Sequence, residues 1–106
     1  MNERKREITS EILHRLASRF ILEESTNSSL ITVTRVNIST TGKEAKIFFT
    51  TIPEKEEETA LKFLNRKTSE FRKYVQTESR IGIVPRINFY IDYGERNRQR
   101  LDEISV

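Results

Sequence analysis

The chain has 106 residues, 33% of them charged and 35% hydrophobic, with 19 Lys and Arg against 16 Asp and Glu, one histidine and no cysteine. That length suits one domain around one core, and without cysteine there is no disulfide framework, thiolate nucleophile or Cys-ligated zinc or iron–sulfur site. Residues 1–7 are mostly charged and apolar runs are short, which predicts neither a signal peptide nor a membrane span and places the protein in the cytoplasm.

Ile8, Ile12, Leu13, Leu16, Phe20 and Ile21 recur at helical spacing and predict an amphipathic helix over Glu7 to Leu22, with His14, Arg15 and Arg19 off its apolar stripe. His14 has no companion at ligand spacing, so no metal site is expected. Turn chemistry from Glu23 to Ser29 ends the helix. Leu30 to Ile38 is rich in β-branched residues and reads as a strand. Ile31 and Val33 share one face while Val36 and Ile38 share the other, so a bulge is predicted near Thr34 and Arg35. After a loop through Glu44, a second strand alternates Ala45, Ile47 and Phe49 against Lys46, Phe48 and Thr50, and the two strands make a hairpin.

Pro53 suits a first helical position, and Glu54, Glu56, Glu57 and Glu58 crowd the first turn, where negative charge complements the helix dipole. The apolar stripe runs through Ala60, Leu61 and Leu64, lapses at Lys67-Thr68-Ser69 and resumes at Phe71, Tyr74 and Val75. An unbroken helix to Gln76 would be roughly 36 Å long, too long for a compact domain with a radius of gyration of about 13 Å, so a break or kink is predicted between Arg66 and Glu70. Ile81, Ile83, Ile87, Phe89 and Ile91 share one parity and predict a final strand, with Pro85 where a strand start or edge spares a ladder N–H. Asp92 can cap the turn that follows. Residues 94–106, with Leu101 and Ile104 as apolar anchors, read as a frayed helix or tail on a single domain spanning 1–106. The order is helix, strand, strand, helix, kink, helix, strand: an α+β domain with helices over one face of a three-stranded sheet.

Three stretches together resemble the bacterial ribosome-binding factor A family: Thr32-Val33-Thr34-Arg35-Val36-Asn37-Ile38-Ser39, Ala45-Lys46-Ile47-Phe48-Phe49-Thr50, and Arg80 to Asp92 with its Ile-Val-Pro-x-Ile-x-Phe-x-x-Asp ending. Leu64 and Phe71-Arg72 fit the same pattern, so the likeness covers Ile8 to Asp92. It implies a KH-like fold of type II topology, α-β-β-α-kink-α-β. It also implies a non-enzymatic assembly factor, without cofactor and monomeric when free, that binds the immature small ribosomal subunit and its rRNA during late maturation and rRNA processing and is linked to growth in the cold. One departure stands out. KH domains that grip single strands use a Gly-x-x-Gly loop, and this family has an Ala-x-Gly kink instead, whereas this chain has Lys67-Thr68-Ser69 there, with neither Ala nor Gly. Thr68 and Ser69 either cap a broken helix or form a functional kink.

From Thr59 to Arg100 ten Lys and Arg stand against four acids, a balance suited to a polyanion. Arg66, Lys67, Arg72 and Lys73 recur within two turns, and Arg80 and Arg86 follow. These six are the candidate RNA contacts, because each cation that neutralises a phosphate releases counterions. The alternative for each is an ordinary solvated position. Lys46 and Phe48 could join charge to a stacking surface, although a strand aromatic more often packs across the ladder. Arg96, Arg98 and Arg100 fit either an RNA-reaching tail or a disordered end. No Gly-rich phosphate loop, no Ser beside a base and no carboxylate pair supports an enzyme. Two other functions remain open: a general KH-like single-stranded RNA-binding protein, or a protein-interaction module whose charge is only solubilising.

Overall fold

The computed structural model of the chain describes residues 1–25 and 29–104. Helix α1 spans Glu3–Glu24, one turn longer than predicted at its start, because the Asn2 side-chain oxygen accepts the Lys5 N–H at 2.8 Å and caps it. Its buried face is Thr9, Leu13, Leu16, Ala17, Phe20 and Ile21, while Ile8 remains exposed. Part of the predicted turn after it, Thr26-Asn27-Ser28, lies outside the described residues.

Strands β1 (Leu30–Ile38) and β2 (Glu44–Ile52) form the antiparallel hairpin. Val33 pairs with Phe49 and Arg35 with Phe48, so Thr34 is the extra residue of the predicted bulge. The bulge switches parity, and Ile31, Val36 and Ile38 all pack against the core despite their odd spacing. A short 3-10 turn, Glu54–Glu56, leads into helix α2, Glu57–Glu78, which therefore starts four residues after Pro53. Strand β3, Arg86–Ile91, runs parallel to β2, giving a mixed sheet in the order β1-β2-β3. Helix α3, Tyr93–Ile104, closes the chain. Of its two predicted apolar anchors, Leu101 is exposed and the side chain of Ile104 lies outside the described residues.

Two predicted features are corrected. The helix does not break at Lys67-Thr68-Ser69: α2 is a single α-helix of 22 residues. At about 1.5 Å per residue it is roughly 33 Å long, and it fits because the molecule is elongated, 43 × 29 × 17 Å, rather than round. The lapse in the apolar stripe is accommodated locally. Thr68 returns its hydroxyl to the Leu64 carbonyl at 2.9 Å, so its own polar group is satisfied within the helix. Lys67 extends its Nζ to Glu24 of α1 at 3.6 Å and to Glu70 at 3.4 Å, leaving its stem along the helix pair.

The second correction is that the final strand begins only at Arg86, and Ile83 is 95% exposed rather than on a strand face. Gly82 has φ +84°, a left-handed turn that interrupts extended backbone. Pro85 lacks an N–H, and pairing starts when the Arg86 N–H reaches the Lys43 carbonyl at 2.8 Å. Beneath the sheet, the rings of Phe20 of α1, Phe71 of α2 and Phe89 of β3 meet at tilted angles, with centroids 5.3 Å apart for Phe20–Phe71 and 6.0 Å for Phe71–Phe89.

Candidate nucleic-acid interface

Ala60, Leu64, Phe71 and Val75 of α2 are buried, which fixes the rotation of the helix and therefore what it shows to solvent. On a helix of 3.6 residues per turn, Lys62, Arg66 and Lys73 fall within about 40° of one another, opposite that buried face. All three are exposed, and none makes an ion pair among the described residues. Lys62 is not among the predicted contacts, although the spacing of Leu64 and Phe71, both buried, already implies its place in the stripe.

The other candidates are scattered. Lys67 is held by Glu24 and Glu70 on the flank of α2. Arg72 is pinned: its guanidinium donates to the Pro85 carbonyl through Nη1 and to the Val84 carbonyl at 3.1 Å through Nη2. It thus fixes the loop that delivers β3. Arg80 is exposed two residues past the end of α2. Arg86, first in β3, points with Asn88 and Tyr90 to the sheet face turned away from α1 and α2, while Ile87, Phe89 and Ile91 face the core. The fold therefore gathers Arg66 and Lys73 with Lys62, and leaves Arg86 on the opposite layer.

The basic residues of α3 are occupied by acids. Arg96 Nη1 donates to the buried Glu57 at 2.8 Å and lies 3.8 Å from Glu54. Arg100 pairs with Glu54, and Arg98 with Glu95. The acidic run at the start of α2 thus does more than complement a helix dipole, since it also holds α3 in place.

Asp92 links three elements. It is 5% exposed, yet its carboxylate accepts the Thr34 hydroxyl at 2.6 Å, Arg35 Nε at 3.2 Å and the Glu95 N–H at 3.0 Å, the last being the cap of α3. Burial pushes its carboxyl up, but the bonds from Thr34, Glu95 and Arg35 outweigh it and hold the group below the ordinary aspartate value. A carboxyl depressed by folding contributes stability above its unfolded pKa of about 3.9 and loses it as pH falls through the folded value. Thermal melts of the parent and Asp92→Asn should therefore differ most at neutral pH, by about 1–3 kcal/mol, and converge below about pH 4. A gap that stayed constant to acid pH would mean the charge on Asp92 does not matter.

Comparison with known proteins gives a consistent result. A family model described as Ribosome-binding factor A matches residues 4–105. Ribosome-binding factor A of Wigglesworthia glossinidia brevipalpis is 29% identical over 109 residues, covering 97% of this chain and 86% of that protein. Its counterpart in Coxiella burnetii is 25% identical over 103 residues, covering 95% and 86%. The crystal structure of ribosome-binding factor A from Thermus thermophilus has the same fold, with a TM-score of 0.73 at 23% identity over 81% of this chain and 93% of that one.

Proposed function

The chain belongs to the ribosome-binding factor A family, and from that membership we propose that it is a non-enzymatic assembly factor that docks on the immature small ribosomal subunit through rRNA. The observation that carries the RNA part is the basic stripe of α2, Lys62, Arg66 and Lys73, which makes no ion pair among the described residues, whereas Lys67, Arg72 and Arg96 are engaged by acids or carbonyls. Arg80 and Arg86 add two exposed cations at the start and end of the loop before β3. The protein acts by occupancy: a monomeric basic wedge holds rRNA in an immature arrangement in the cytoplasm, supports rRNA processing, and leaves when the subunit is complete. Its contribution is greatest in the cold, where misfolded RNA helices rearrange slowly.

The direct test is co-sedimentation of the full chain with small subunits on sucrose gradients, together with the profile of cells lacking it, in which free subunits and unprocessed small-subunit rRNA should accumulate. With about five phosphate contacts, log affinity against log salt should fall with a slope of roughly −3.5 to −4.5. A slope near zero, or no co-sedimentation, would remove the basis for this function.

A further inference from the structure

On the sheet face turned away from α1 and α2, the bulge at Thr34 puts Arg35 opposite Phe48, and the parallel ladder puts Phe48 opposite Tyr90. One row thus crosses all three strands. Arg35 lies over the Phe48 ring with its guanidinium carbon 3.8 Å from the centroid, and Phe48 stacks on Tyr90 at 5.6 Å with 29° between the planes. Tyr90 is 40% exposed. The cations near the row are Lys46, whose Nζ is 5.8 Å from the Tyr90 centroid, and Arg86, two outward positions along β3, while one exposed acid, Glu44 of β2, sits across the ladder from Arg86. Asp92, the acid that touches the row, is buried and already accepts three hydrogen bonds. Cross-strand packing accounts for Phe48, which is half-buried between its neighbours. It does not account for a tyrosine ring left open at the end of a cationic row.

We propose that this row is a base-stacking platform for single-stranded RNA: one unpaired nucleobase lies on Tyr90, with Phe48 and Arg35 backing it and Lys46 and Arg86 facing the flanking phosphates. Every base has a π-face, so the platform is tolerant of sequence, and its positive rim suits a nucleic acid rather than an acidic or apolar partner. The platform rests on the RNA-binding role above and lies on the opposite layer from the α2 stripe.

The test uses the full chain and a short single-stranded RNA of mixed sequence, with heparin as a polyanion that has no bases. Tyr90→Ala should weaken RNA binding about five- to 150-fold, leave heparin binding unchanged, and preserve the slope against salt, because tyrosine neutralises no phosphate. Tyr90→Phe should bind as the parent does. The chain contains no tryptophan, so Tyr90→Trp supplies a single reporter whose fluorescence RNA should quench and heparin should not; circular dichroism of each variant confirms folding. Equal quenching by both polymers, or parental RNA affinity in Tyr90→Ala, overturns the platform. Co-sedimentation of the parent with small subunits is read in parallel. If it persists while Tyr90→Ala binds RNA normally, only the platform falls; if the parent neither co-sediments nor binds RNA, the assembly role falls and takes the platform with it.

Discussion

Reversing Arg66 and Lys73 to glutamate is expected to weaken binding to small subunits on the order of 30-fold at physiological salt, while leaving the fold intact. Each reversal replaces attraction by repulsion beside a phosphate. At about 4 Å in water such a pair is worth about 1 kcal/mol, so two reversals change the balance by about 4 kcal/mol before screening. A Debye length of about 8 Å reduces this, and about half of it corresponds to the stated loss. Both side chains are exposed and unpaired among the described residues, so melting should shift by no more than about 0.5 kcal/mol. Arg72 is unsuitable for the same experiment although it neighbours Lys73. Its guanidinium holds the Val84 and Pro85 carbonyls, and Arg72→Glu would loosen the entry to β3 and confuse misfolding with lost binding. The control is Arg98→Glu, since Arg98 is exposed and, among the described residues, bonds to Glu95 of its own helix alone. Were that control to abolish binding while the α2 pair left it unchanged, the contact surface would lie at α3.

Phe71→Ala should have the largest effect on stability. Phe71 is fully buried and touches Phe20 of α1 and Phe89 of β3, so it is where both helices meet the sheet. Removing a buried phenyl ring costs about 3–5 kcal/mol from lost transfer energy and the cavity left behind. Domains are stable by only about 5–15 kcal/mol, and each kcal/mol shifts the melting temperature by about 4–8 °C at this size. The variant should melt well below the parent, on the order of 12 °C or more, with an unchanged m-value in a denaturant titration. A loss under about 1 kcal/mol would show that the ring is not central to the core.

The periodic parts of the fold are legible in the order of residues alone. Helical spacing from Ile12 to Ile21 locates α1, alternation in Ala45, Ile47 and Phe49 locates β2, and the parity change between Val33 and Val36 locates the bulge. These signals work because burial repeats with the geometry of the local element, so residues near in sequence report it. Asp92 as a cap is legible for the same reason, since its bond to the Glu95 N–H spans three residues. The ordered motifs also point to the family that the match over residues 4–105 establishes.

How the polar side chains are used depends instead on contacts between elements. Thr68 and Lys67 have the pattern of a helix break, but Lys67 is accommodated by Glu24, which lies on another helix. Arg72 resembles its basic neighbours in sequence, yet two carbonyls 12 and 13 residues away claim it. Arg96 and Arg100 read as a loose basic tail until the fold brings Glu57 and Glu54 within reach. Arg66 and Arg86 belong to one charge cluster along the chain, but the helix layer and the sheet carry them to opposite sides. A cation's availability to phosphate depends on its nearest acid or carbonyl in space, and for these residues that neighbour is fixed by contacts between elements, which local periodicity does not encode.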